Sequence, residues 1–94
     1  MLRTLADAIG LKFENFALKV NEPKTVTLGT GLLVVIAPGS QYSNIYHIDY
    51  WSSEIKTLSN TFNGIIISKE VQTKNITITN NLNTDFTCKY VFIG

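Results

Sequence analysis

The sequence predicts an all-β domain, an antiparallel β-sandwich or jelly-roll-like fold of about eight short strands, with a short helix at its N-terminus. Three observations lead to this class. Short runs rich in β-branched and aromatic residues follow one another from Phe13 to the C-terminus. Turn-forming clusters separate these runs at regular spacing. The only clear helical repeat lies in residues 2–9.

The N-terminal repeat consists of apolar residues at helical spacing, followed by Gly10, which is placed to end a helix. The apolar positions are Leu2, Leu5, Ala6 and Ile9. Two helical turns are too short to be stable alone, so they are expected to dock on their own domain, on a neighbouring domain or on copies of themselves. We therefore predict a short helical connector over residues 1–10, within a single domain of 94 residues.

Predicted strands occupy residues 13–20, 25–28, 32–37, 44–51, 54–62, 65–71, 75–79 and 86–93. The continuous apolar run at 32–37 predicts a strand covered on both faces. The Asn63-Gly64 pair predicts a two-residue hairpin, because both positions tolerate positive φ. Residues 52–59 also allow a helical turn. The uncharged last strand is expected either at the centre of its sheet or under a neighbouring subunit.

Composition excludes several classes of partner. The net charge is +1 and the lysines are scattered, so no basic stripe for nucleic acid is present. No apolar run approaches the ~20 residues of a membrane-spanning helix, so no membrane insertion is expected. Cys88 is the single cysteine and alternates with aromatic residues, which predicts a buried, inert thiol.

Catalytic, metal-binding and cofactor-binding patterns are absent from the sequence. His47 and Asp49 lie two residues apart, on one face of a predicted strand, and could form a histidine–carboxylate pair. The chain has one histidine and no nucleophile placed beside it, so we expect no enzyme activity. No ligand cluster for a metal and no glycine-rich phosphate loop is found, and no cofactor is expected.

Aromatic residues between positions 42 and 51 form the most informative cluster. Tyr46 and Tyr50 are predicted to fill the core, whereas Tyr42 and Trp51 fit either the core or an exposed platform. An exposed ring beside amide, hydroxyl and carboxyl groups can stack on a sugar and bind its hydroxyls. The predicted contact surface consists of Tyr42, Asn44, His47, Asp49 and Trp51.

Several stretches resemble the small C-terminal β-sandwich modules of bacteriophage tail fibres and baseplate proteins. They are "KTVTL" at residues 24–28, "GLLVVIAPGS" at 31–40, "ITITNN" at 76–81 and the final strand at 86–93. The resemblance covers the chain from about Thr25 onward. It implies an extracellular location in the virion tail and a homotrimer that binds a host-surface glycan or protein.

Two other functions stay open on the sequence. A monomeric carbohydrate-binding module of a bacterial secreted protein would share the sandwich and the aromatic platform. A purely architectural virion subunit would share the fold and have no ligand. Binding of glycans by a single chain favours the first alternative, and assembly without any ligand favours the second.

Overall fold

Eight β-strands in two antiparallel sheets form the part of the chain that the computed structural model describes, residues 11–38 and 41–94. The strands are β1 (Leu11–Leu18), β2 (Lys24–Thr27), β3 (Gly31–Ile36), β4 (Ser43–Ile48), β5 (Lys56–Asn60), β6 (Ile65–Ser68), β7 (Asn75–Asn80) and β8 (Phe86–Ile93). The five-stranded sheet, which we call the large sheet, has the order β1-β8-β3-β4-β5, and the three-stranded small sheet has the order β2-β7-β6. The predicted all-β class is confirmed, in a sandwich-like arrangement. The predicted helix at residues 2–9 lies outside the described residues.

A single hydrophobic core joins the two sheets. Successive side chains of a strand point to opposite faces, so every second residue of these strands turns inward. In the large sheet Leu33 and Val35 are buried on β3, and in the small sheet Ile76 and Ile78 are buried on β7. The thiol of Cys88 belongs to the same cluster, so the predicted burial of this residue is confirmed.

The last strand of the chain lies inside the large sheet. β8 pairs with β1 on one side and with β3 on the other, and both pairings are antiparallel. In the register, Val91 lies opposite Phe13 on β1 and opposite Val34 on β3. The terminal strand, whose one charged residue is Lys89, therefore lies between two other strands of its sheet, which agrees with the first of the two expectations.

The predicted hairpin at Asn63-Gly64 is wrong. The strands on either side of it, β5 and β6, belong to different sheets and do not pair with each other. The chain crosses between the sheets here because the side chain of Asn44 accepts the backbone N–H groups of Thr61 and Phe62. The donors that would begin a hairpin ladder are thus used by a side chain on β4.

Residues 52–59, for which the sequence allows a strand or a helical turn, contain the start of β5. β5 pairs with β4, and its register shifts at a β-bulge opposite Ile45 and Tyr46. The bulge leaves Leu58 exposed. The described strand is shorter than the predicted one by two residues at each end, since residues 54–55 and 61–62 lie outside β5.

The outer face of β3 is not covered by the described residues. Leu33 and Val35 point into the core, whereas Leu32, Val34 and Ile36 point the other way. Leu32 is 39% exposed, and the other two are partly exposed. The expectation that this apolar strand is covered on both faces is therefore met on the inner face alone.

Candidate ligand-binding site

Strand β4 separates the residues that the sequence assigned to a contact surface. Tyr42 precedes β4 and Trp51 follows it. Six residues of strand span about 20 Å, so these two aromatic rings lie at opposite ends of β4. A single platform carrying both rings is excluded by this geometry.

Asn44 is an interior residue with 1% of its surface exposed. Its amide nitrogen donates to the Tyr46 hydroxyl at 2.9 Å and to the Phe62 carbonyl at 2.7 Å. Its amide oxygen accepts the N–H groups of Thr61 at 2.9 Å and Phe62 at 3.0 Å. The side chain is fully used within the fold, so Asn44 is not part of a contact surface.

Tyr42 is half exposed and packs on its neighbours. Its ring stacks on Phe62 with 5.6 Å between centroids and 5° between planes. Phe62 in turn meets the edge of Phe86 at 5.5 Å. Tyr42 therefore covers the end of an aromatic cluster in which Phe62 and Phe86 pack against the core, and one face of its ring is already occupied.

Trp51 stands on a tight turn over residues 49–52, which we call the Trp51 turn. The Asp49 carboxylate accepts the Trp51 N–H at 3.1 Å, and the Asp49 carbonyl accepts the Ser52 N–H at 3.2 Å. These bonds end β4 before Trp51, because an aspartate that caps its own turn competes with the strand ladder. The indole is left 68% exposed and meets the Tyr50 ring edge-on at 5.0 Å.

Lys69 fastens the Trp51 turn to the small sheet. Its ammonium group donates to the carbonyl oxygens of Tyr50 at 3.3 Å and Glu70 at 2.7 Å, and also to the carbonyl of Ser52. The N–H of Gln72 donates to the Tyr50 carbonyl at 2.9 Å. The turn is thus held from both sheets, and the exposed indole has a defined position.

A shallow depression of about 100 Å³ lies beside the Trp51 turn and is lined by polar side chains. The lining residues are His47, Asp49, Ser52, Glu54 and Lys56. His47 and Lys56 face each other across β4 and β5. His47 and Asp49 both line this depression, together with a hydroxyl, a second carboxylate and an ammonium group.

These added residues were missed by sequence reasoning. Ser52, Glu54 and Lys56 reach the depression because β5 returns beside β4, and Lys69 reaches the turn from the other sheet. No local pattern marks such residues. Only the Ser52-x-Glu54 spacing offers a hint, since the Ser52 hydroxyl accepts the Glu54 N–H at 3.0 Å.

The chemistry of this site suits binding of a polar ligand. An exposed indole provides apolar contact area, and the depression offers donors and acceptors of both charges for hydroxyl or amide groups. Within residues 11–38 and 41–94, no three His, Cys, Asp or Glu side chains converge as metal ligands. Over the same residues, no helix has the length and apolar character to cross a bilayer.

Tyr46 and Tyr50 differ in their relation to this site. Tyr46 is buried in the core, and its pKa is raised by that burial. Tyr50 is partly exposed, and its ring contacts the indole of Trp51. The aromatic surface at this end of the fold is therefore formed by Tyr50 and Trp51.

The stretches on which the sequence-based prediction of a phage tail module rests correspond to β2, β3, β7 and β8, and none of them contributes to the Trp51 turn. The prediction of a tail module and the candidate site thus depend on different residues. Comparison of the chain with protein-family models, with curated proteins and with solved structures gave no match.

Proposed function

We propose that this chain is a non-enzymatic module of a bacteriophage tail that binds a host-surface glycan or protein through the Trp51 turn and the depression beside it. The tail location and the homotrimeric assembly come from the resemblance of its strands. The exposure of Trp51 on a turn held by Asp49 and Lys69 supports the choice of this contact surface.

The observation that supports binding is the exposure of Trp51 on a fixed turn. Leaving an indole in water forgoes roughly 2 kcal/mol of hydrophobic burial, which a ligand packed on the 68% exposed ring would recover in part. A turn held by Asp49 and Lys69 loses little further freedom when a ligand packs on the ring. Preorganised aromatic surface beside polar groups is the usual form of a glycan contact.

The test is the Trp51→Ala variant, assayed on a panel of immobilised glycans and on intact bacterial cells. We expect binding to fall at least tenfold while the cooperative melting transition is retained. Ile66→Ala is the matched control, because Ile66 is also exposed but lies on the small sheet. Unchanged binding would refute the site, and a lost melting transition would show that Trp51 supports the fold.

The assembly state separates this proposal from its alternatives. Glycan binding by a chain of 10.5 kDa at every concentration would indicate a monomeric carbohydrate-binding module. An assembled wild-type chain that binds neither glycans nor cells would indicate an architectural subunit. Only an assembled chain that also depends on Trp51 for binding agrees with the proposed function.

A further inference from the structure

The outer faces of the two sheets differ in chemistry. On the small sheet, the outward residues of β7 and β2 are polar, with Asn75, Thr77 and Thr79 on β7 and Thr25 and Thr27 on β2. Such residues are typical of a sheet face in contact with water. The outward residues of the large sheet are mostly apolar, so the same chain presents one solvated face and one hydrophobic face.

The hydrophobic face is organised in rows across four strands. One row runs through Phe13, Val91, Val34 and Ile45, which lie opposite one another on β1, β8, β3 and β4. Phe13 is 63% exposed, and the others are partly exposed. Four neighbouring apolar side chains on one face form a continuous stripe across four strands, about 19 Å at the usual strand spacing.

A second row continues the stripe on the same face. Leu11, Ile93 and Leu32 lie opposite one another on β1, β8 and β3, and His47 follows on β4. Ile93 is 48% exposed. In the next row, on the other side of Val34, Ile36 on β3 lies opposite Lys89 on β8. We call this surface the outer apolar face; Lys89 at its border is charged, and no acidic residue lies on these rows.

We propose that the outer apolar face is a self-association surface, on which corresponding faces of further copies of this chain pack. It is about 19 Å wide and 14 Å long, from four strands and two full rows. A two-turn helix, as the sequence predicts for residues 2–9, is about 12 Å long and 10 Å wide and would cover less than half of it.

Composition also favours a second copy over a transient partner. Transient interfaces are about as polar as the rest of a protein surface, whereas interfaces between identical subunits are more apolar and poor in charge. Two apolar sheet faces can pack at about 10 Å, as they do inside a sandwich. The smallest specific interfaces bury roughly 500 Å² on each partner, and the two apolar rows cover about half of that area, so the polar border must supply the rest. We therefore expect association in the micromolar range.

This inference deepens the proposed function and rests on the assembly proposed there. Its rows meet the depression beside the Trp51 turn at one residue, His47. The test is the mass of the full chain by light scattering from about 1 µM to 1 mM. We expect a mass that rises to two or three times 10.5 kDa. The double variant Phe13→Lys with Ile93→Lys should stay at 10.5 kDa, because it places two charges on exposed positions of the face.

The matched control adds the same two charges elsewhere. Ile66→Lys with Val71→Lys changes two exposed apolar residues outside the large sheet and should assemble like the wild type. A wild-type chain that stays at 10.5 kDa up to 1 mM, or equal assembly of both double variants, would overturn the proposal. If the wild type is a monomer, a hydrophobic dye that binds it would indicate that the outer apolar face is exposed and serves a different partner. Absence of dye binding would indicate that other residues of the same chain cover the outer apolar face.

The two proposals fail in distinguishable ways. Trp51→Ala should lose glycan and cell binding while keeping the mass of the wild type. The charged variant of the outer apolar face should lose the assembled mass while its individual chains still bind glycan. If Trp51→Ala keeps its binding and the charged variant loses assembly, the self-association surface stands and the ligand site does not.

Discussion

Asn44 illustrates at the scale of one residue how a polar side chain organises this fold. It is buried, and all four of its hydrogen bonds are made within the chain. Through Thr61 and Phe62 it sets the point where the chain leaves the large sheet. Its sequence context, between Ser43 and Ile45 in a strand, gives no sign of this role, since the partners are far along the chain.

We expect Asn44→Ala to destabilise the fold by about 3 kcal/mol, because it leaves two N–H groups, a carbonyl and the Tyr46 hydroxyl without their partner. Urea unfolding measures this change. Asn15→Ala is the control, because Asn15 is exposed on β1, and it should change stability by less than about 0.5 kcal/mol. Equal effects of the two substitutions would contradict the role assigned to Asn44.

Cys88 provides a second prediction at this scale. Burial raises the pKa of its thiol to about 11, above the usual value of about 8.5. The folded state therefore favours the protonated thiol, and stability is lost as pH rises from about 8.5 towards 11. Between pH 7 and 10, unfolding in urea should show this loss in the wild type and not in Cys88→Val.

The comparison of wild type with Cys88→Val is limited to pH 10 because two tyrosines in the core begin to ionise above it. Burial also raises the pKa values of Tyr46 and Tyr90, and these phenols weaken the fold at higher pH in both proteins. A thiol reagent gives an independent reading, since native Cys88 should react slowly and the unfolded chain rapidly. Rapid labelling of the native protein would contradict the buried position.

At the scale of elements, close approach of backbones decides which glycines can be replaced. Gly31 begins β3 where the end of β8 passes directly beside it. A Cβ at this position would overlap the Ile93 carbonyl oxygen and the Gly94 Cα, and backbone atoms cannot move aside. Gly29 lies two residues earlier in the same turn and has open space around it.

We expect Gly31→Ala to cost more than 2 kcal/mol of stability, roughly the range for overpacking of a tight site. Gly29→Ala should be neutral within about 0.5 kcal/mol or slightly stabilising, because it restricts the unfolded chain. The melting temperatures of the two variants provide the comparison. A tolerated alanine at position 31 would mean that β3 and β8 do not approach as closely as described.

At the scale of the whole molecule, the topology joins distant parts of the sequence. β1 and β8, near the two ends of the chain, pair along their full length, and β8 separates β1 from β3. The large sheet is therefore complete only when the last strand is in place. Folding that depends on such distant pairing is expected in the range of milliseconds to seconds.

Hydrogen exchange should report this arrangement. From Lys89 to Ile93, β8 lies between two strands, so its amides there should exchange only by global unfolding, whereas those of β5 lie at an edge and should open locally. We expect amides of Tyr90 and Phe92 to exchange far more slowly than those of Leu58 and Ser59. Similar exchange rates in β5 and β8 would contradict the central position of the terminal strand.

The sequence by itself determined the strand content and the inward alternation. It placed every strand within a few residues, because apolar alternation and turn residues act locally. It also predicted the thiol of Cys88 in the core, and it left Trp51 open between the core and an exposed platform. These features depend on neighbours along the chain, which a reader of the sequence can see.

Only the tertiary structure decided which strands pair, which residues surround the proposed site and which face stays uncovered. The crossing at Asn63-Gly64 has the sequence of a hairpin, and Asn44 redirects it from another strand. Lys69, just after β6, bonds to the Trp51 turn, Lys56 on β5 lines the depression beside it, and the outer apolar face is assembled from four strands in register. Such contacts join residues far apart in the chain, so local sequence patterns do not predict them.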